Sequence, residues 1–342
     1  MTRYLKQKYF LGLLFVLVMI MGAARQSYPL SPTGSGAFSR IPLGARAMAL
    51  GGAFVAVADD ASTFYHNPAG AAKLSWSYLS LHGQKHLMDD YLESISFIHS
   101  PGEKGNWAFG VAAYLFTPTE IESYNSLGNA IDTPLNYSGL GYVTVARKFG
   151  KKDGISIGLN GKFITENLGS VSSTGGGVDL GILMPVSFID IGMMIQDVFT
   201  IESFDNRTEP VYFDRILKVG FATNISEKNN WKIAFQFDKN LSHDSDVIVR
   251  VGLFVKLWQG KGGKIDYNLR DLSSIEESFK KILEDKKDFD EAIYLNMGYG
   301  DGFVSSGLSM NIWRLKIDLT ASLSTLDWNS TIFLANIDIP LY

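Results

Sequence analysis

Residues 44–70 read GARAMALGGAFVAVADDASTFYHNPAG. Gly51, Gly52 and Gly70 permit tight turns and close approach of backbones, while Pro68 fixes φ and ends any local hydrogen-bond ladder. A compact, irregular segment is therefore expected here. Such a segment leaves N–H and C=O groups in need of partners, and the polar faces of strands closed around it would supply them. Arg46, Asp59 and Asp60 are then expected to bridge to charges on those faces, with Lys232, Arg250 and Arg314 as the candidates.

Upstream, residues 1–24 combine a basic start (Arg3, Lys6, Lys8), an apolar run from Phe10 to Met21, and the small residues Gly22, Ala23 and Ala24. That is the anatomy of a secretory signal peptide, cleaved before Arg25. No later stretch approaches 18 consecutive apolar residues, so helical spans are not expected. The chain has no cysteine, hence no disulfide staples and no lipid-modified N-terminal cysteine. Its formal charge of −4 falls by three more units without the signal. A nucleic-acid partner is not expected, because no basic stripe exists to hold a polyanion.

Downstream of residue 75 the hydropathy has a period of two. Trp231, Ile233, Phe235 and Phe237 alternate with Lys232, Ala234, Gln236 and Asp238, and Leu315, Ile317 and Leu319 alternate with Lys316, Asp318 and Thr320. These are strands with one apolar and one polar face. Fourteen such segments are expected, near 76–82, 92–99, 105–116, 136–149, 153–166, 175–185, 188–198, 211–224, 230–238, 246–258, 291–299, 302–311, 312–323 and 330–341. An even count of strands of about ten residues suits an outer-membrane barrel. Periodicity alone also fits a soluble sandwich, whose apolar face meets a second sheet. Aromatic residues near strand ends, such as Trp107, Trp258 and Tyr342, favour the membrane.

Residues 44–72 resemble the hatch of the long-chain fatty-acid transporter (FadL) superfamily, and more closely that of its PorV/PorQ-like branch. The resemblance rests on Gly44-Ala45-Arg46, Met48, Leu50 through Ser62, Tyr65 and Asn67-Pro68-Ala69-Gly70, with echoes at Gly177–Gly181 and Gly192–Asp197. It implies an all-β fold: a transmembrane antiparallel β-barrel of about 14 strands with an N-terminal hatch in the lumen. The expected organisation is a signal peptide (1–24), a hatch (25–75) and a barrel (76–342), in the outer membrane of a diderm bacterium. The implied function is passive, hatch-gated passage of hydrophobic small molecules, fatty-acid-like compounds above all, amid outer-membrane lipid. The alternative is a PorV-like accessory that handles an exported protein partner.

On this reading the gating residues are Arg46, Gly51, Gly52, Asp59, Asp60, Asn67, Pro68, Ala69 and Gly70. Asp179, Lys232, Arg250 and Arg314 are expected to face the lumen. Two adjacent carboxylates and a distant His66 form a poor ligand set, so neither a metal nor a cofactor is expected. Gly175–Gly177 read as loop and strand-start residues, or else as a kink opening the wall. Residues 259–290 carry Ile275, Phe279, Ile282 and Leu283 at helical spacing among charges, which predicts an inserted amphipathic helix. No GxSxG elbow, HExxH motif or cysteine nucleophile is present, so the protein is not expected to be an enzyme.

Overall fold

The structure is a computed structural model. It describes residues 36–341 apart from 86–89, 101–104, 119–122, 125–129, 132–135, 151–153, 227–230, 260–291, 301, 313–314 and 325–330. The expected signal peptide, the inserted segment after Gln259 and Arg314 lie outside the described residues.

The strands are β1 (Ser77–Lys85), β2 (Tyr91–His99), β3 (Trp107–Thr117), β4 (Ser123–Tyr124), β5 (Ala130–Ile131), β6 (Tyr137–Phe149), β7 (Ile155–Leu168), β8 (Val171–Val186) and β9 (Ile189–Phe204). They continue as β10 (Val211–Tyr212), β11 (Ile216–Ser226), β12 (Trp231–Asn240), β13 (Ile248–Gln259), β14 (Ala292–Gly300), β15 (Phe303–Ile312), β16 (Leu315–Ser324) and β17 (Thr331–Leu341). β4 and β5 pair only with each other, and β10 only with β9. The other fourteen pair antiparallel with their neighbours in the chain, and β17 returns to β1 with Ser77 opposite Leu341 and Lys85 opposite Phe333. The sheet closes on itself, so no edge remains.

Alternation sorts the wall into two faces. On β3, Trp107, Phe109, Val111 and Leu115 point outward and are exposed, while Ala108, Gly110, Ala112 and Tyr114 point inward and are buried. On β7, Ile155, Ile157, Leu159 and Phe163 face out, against Ser156, Asn160 and Lys162 inside. In a sandwich the apolar face would be covered by a second sheet, and no described residue covers it here. Water against it would cost about 25 cal/mol for each Å². Lipid is the medium that relieves that cost, and the molecule is a transmembrane β-barrel.

Each expected strand overlaps one wall strand, with differences at the middle of the chain. β8 begins at Val171 rather than near 175, so the three glycines lie within it, with Gly175, Gly176 and Gly177 opposite Ile164, Phe163 and Lys162 of β7. They do not begin a strand, and they open no gap, because both ladders continue through them. A Cβ on Gly177 would lie 2.0 Å from Thr200 Oγ1, so the crowding of β9 excludes a side chain there. Next to this run the register between β8 and β9 shifts between Val178 and Leu180, and Asp197 takes a left-handed φ of 59°. That is a β-bulge, which re-aims a side chain.

Residues 36–76 fill the lumen. Short helical turns at Ala37–Arg40, Ala45–Ala49, Thr63–His66 and Pro68–Lys73 are joined by irregular chain. Gly51 and Gly52 adopt φ of 63° and 79°, a conformation open to glycine and costly to most other residues. The interior is not uniformly polar, as the alternation on β12 and β16 led us to expect. Phe38, Leu43, Phe64 and Tyr65 of the hatch pack against inward Leu92, Tyr114, Leu140, Tyr142 and Ile164, forming an apolar core on one side of the barrel.

Candidate functional site

The hatch is seated by three kinds of contact with the wall. The first is backbone against glycine. A Cβ on Gly158, Gly181, Gly192 or Gly298 would meet hatch atoms of residues 50–69 at 2.1–2.3 Å. Side chains at those wall positions would displace the hatch, so glycine is what allows the close approach. The second kind is the apolar core just described. The third is a set of hydrogen bonds that satisfy the irregular chain.

Asn67 anchors that set. It is fully buried, and its Nδ2 donates to Val55 O at 2.8 Å within the hatch and to Ile182 O of β8 at 3.0 Å. Its Oδ1 accepts from Ala69 N at 3.2 Å, which caps the turn that Pro68 starts. Gln236 Oε1 of β12 accepts from Phe54 N and Val55 N at 3.0 and 2.9 Å. Its Nε2 donates to Asp238, which in turn holds Arg250 at 2.9 Å. Asn160 of β7 donates to Phe64 O at 2.6 Å and to Asp179 at 3.1 Å. Ala69 packs with Ala58 and Leu183, and a Cβ on Gly70 would meet Thr63 Oγ1 at 2.1 Å.

The charges pair differently from the expectation. Arg46 binds Asp59 within the hatch through two bonds of 2.6 and 3.0 Å, and Asp60 lies 3.9 Å away. A hatch that closes its own ion pair avoids burying an unpaired charge before it docks. The wall partner of Asp60 is Lys316, at 3.8 Å, which also reaches Asp338 at 3.7 Å. Arg250 turns to Asp238 of its neighbour strand, not to a hatch carboxylate. Lys232 sits 4.0 Å from Asp190. Asp179 does face inward, against Lys162 at 2.8 Å, and Asp197 from the bulge completes that cluster by bonding Lys162 and donating its N–H to Asp179.

Titration follows from these surroundings. Burial alone would raise the Asp59 carboxyl, but Arg46, with Lys232 and Lys316, holds it well below the usual carboxylate range. Burial pushes the His66 imidazole down to about 4, against the opposing pull of its bond to Leu43 O at 2.6 Å. His66 is thus neutral at pH 7 and donates through Nε2. No cluster of three metal-ligating side chains occurs among the described residues.

Sequence reasoning missed the wall side of this interface. Gln236, Asp238 and Lys316 stood on polar strand phases without being singled out. Asp197 ended a stretch that echoed the resemblance, but its place beside Lys162 gave no periodic signal, because a bulge breaks the alternation. The usable clue was glycine recurring on the inward phase of successive strands, as at Gly158, Gly181 and Gly192.

Residues 35–253 match the uncharacterised protein family UPF0164. The chain belongs to this family. A UPF0164 protein of Treponema pallidum (strain Nichols) is 32% identical over 146 residues, covering 41% of this chain and 43% of its own length. A second from the same organism is 29% identical over 146 residues and 35% of its length. The matched stretch therefore spans less than half of these UPF0164 relatives. Among solved structures, the Ralstonia pickettii toluene transporter TbuX superposes with a TM-score of 0.50 at 13% identity, over 87% of this chain and 98% of its own. The CymD monoaromatic hydrocarbon channel gives 0.51 at 12% identity, over 88% and 98%. At such identities the likeness speaks for the fold alone.

Proposed function

We propose that this UPF0164 chain is an outer-membrane channel that passes hydrophobic small molecules passively, with its hatch as the gate. The observation that carries this reading is a closed, lipid-facing barrel whose lumen is filled by a separate segment seated by close packing and hydrogen bonds. A filled lumen passes nothing until the segment shifts. The hatch would carry its bidentate Arg46–Asp59 pair with it, and a shift at β8 would have to break the Asn67 side-chain bond to Ile182 O and the packing of Ala69 on Leu183.

Fatty-acid-like compounds are the substrate class we favour within this reading, and the PorV/PorQ-like resemblance of residues 44–72 names the nearest branch. Arg46, Gly51, Gly52, Asp59, Asp60 and Asn67–Gly70 form the moving part, and Lys232 and Arg250 supply positive charge along the lumen. The chain reaches the outer membrane by a cleaved signal and starts near Arg25.

The test is uptake of labelled oleate and labelled toluene in a diderm host lacking its own FadL-type transporter. Saturable uptake of either is expected. Asn67→Ala with Pro68→Ala should change uptake while leaving the heat-dependent gel mobility of a folded barrel intact. No uptake from a folded barrel, with a stoichiometric exported protein co-purifying, would replace this reading by the secretion-accessory one.

A further inference from the structure

The hatch and seven wall strands leave a cavity of about 560 Å³ at the barrel end that also carries Ser77 and Leu341, the two ends of the wall. Its charged lining is Arg46, Lys232, Lys256 and Lys316 against the single carboxylate Asp59. Phe254 and Tyr294, stacked with centroids 4.6 Å apart, form an aromatic wall, with Arg46 over one ring at 5.0 Å and Lys256 over the other at 5.5 Å. Four cations, aromatic faces and room for a small organic molecule occur together here. That volume lies in the range of small-molecule pockets.

We propose that this cup binds an organic monoanion, a carboxylate on an apolar or aromatic body, and that the ligand competes with Asp59 for Arg46, Lys232 and Lys316. Asp59 is the acid that faces the opening, with 42% of its side chain exposed, whereas Asp60 and Asp338 lie behind the same cations at 3% and 0%. An incoming carboxylate therefore meets Asp59 at the mouth and exchanges with it. Exchange breaks the bidentate Arg46–Asp59 pair and frees the loop that bears Asp59, so ligand arrival loosens the hatch at this end. The apolar body of the ligand lies on Phe254 and Tyr294. The binding step stands apart from transport, while the loosening step rests on the gating reading above.

The probe is 4-fluorobenzoate, followed by ¹⁹F NMR on the full mature barrel in nanodiscs of zwitterionic lipid, with 4-fluorotoluene and inorganic phosphate as comparators. Saturable binding of the benzoate is expected. Lys232→Gln with Lys256→Gln should weaken it about tenfold or more, the loss expected from charge-assisted hydrogen bonds. Asp59→Asn should tighten it by removing the competitor. A cysteine in place of Ala61, which is fully buried in a chain without other cysteines, should label faster as benzoate is added. Unchanged benzoate affinity in both single variants, Lys232→Gln and Lys256→Gln, would overturn the site, as would equal affinity for 4-fluorotoluene. Tight phosphate binding that blocks benzoate would overturn the organic ligand class. Normal benzoate binding with flat labelling at Ala61→Cys would overturn the loosening step alone. Loss of oleate and toluene uptake would bear on the transport reading without touching the binding result.

Discussion

Strands β2, β3 and β6 hold the hatch with side chains, whereas β8 to β15 hold it largely by lacking them. On the first side Leu92, Tyr114, Leu140 and Tyr142 interlock with Phe38, Leu43 and Phe64. On the second, Gly192, Gly252 and Gly298 let the hatch backbone lie directly on the wall, and Gln236 closes its hydrogen bonds. The two attachments differ in kind. Interlocked rings must separate before anything slides, while a backbone resting on glycine loses few contacts per step. On the gating proposed above, a hatch fixed on one side and smooth on the other would pivot about its apolar side.

That comparison breaks most visibly at Phe64. This ring is 2% exposed and lies 5.1 Å from Tyr142, so Phe64→Ala should cost the hatch about 3–5 kcal/mol by cavity formation. The expected outcome is that Ala53→Cys, buried in the wild type, labels faster by on the order of a hundredfold. The barrel should keep its heat-dependent mobility, since the wall ladders are untouched. Unchanged labelling would mean that the apolar side is not the fixed point.

The glycine side is tested by adding bulk. A Cβ on Gly298 would sit 2.1 Å from Gly51 N, backbone that cannot rotate away, so Gly298→Val should cost about 1–3 kcal/mol and lift the hatch from β14. Gly83 on β1 is the matched control, because a Cβ there meets nothing within 4 Å and faces outward. Gly83→Val should leave labelling at Ala53→Cys unchanged. Equal effects from both would show that strand propensity and not close approach is being measured.

Asn67→Ala sharpens the link between the two sides. It leaves Val55 O and Ile182 O without their donor in a buried place, at a cost of about 1–3 kcal/mol. Because Asn67 bonds β8 and not the apolar side, the variant should ease pivoting without freeing the Phe64 core. Labelling at Ala69→Cys should quicken more than at Ala53→Cys, and equal acceleration would argue for release of the whole hatch.

Legibility differed along the same line. Strict alternation on Trp231–Asp238 and Leu315–Thr320 marked the wall, its count and its inner face, because lipid on one side and polar groups on the other impose a period of two. The stretch 105–116 is apolar on both phases, so nothing in it showed that Tyr114 faces the hatch while Leu115 faces lipid. The irregular character of residues 44–70 was readable from Gly51, Gly52 and Pro68, but the partners of Arg46 were not. A local bidentate pair with Asp59, thirteen residues away, leaves no periodic trace, and the expected bridge to Arg250 is instead the Arg250–Asp238 pair.

The smallest expected effect is a dependence on pH through His66. Its folded value of about 4 lies below the free value of 6.5, so the seated hatch favours the neutral ring. A depressed histidine contributes stability that is complete above the free value and is lost as pH falls toward the folded one. At pH 5.5, one unit below the free value, the loss is about 1.4 kcal/mol, a tenfold shift toward release. The proton has a definite target: the Nε2–H bond to Leu43 O persists, but a charge appears among Phe54, Tyr65 and the cations Lys218 and Arg250. Leu43 belongs to the apolar core, so acid should loosen the pivot itself and not the glycine side. Labelling at Ala53→Cys with a reagent whose own reactivity is corrected for pH should rise about tenfold between pH 7.5 and 5.5. His66→Gln, which keeps a donor for Leu43 O and carries no titrating proton, should flatten the profile. A rise that persists in His66→Gln would assign the acid response to another group.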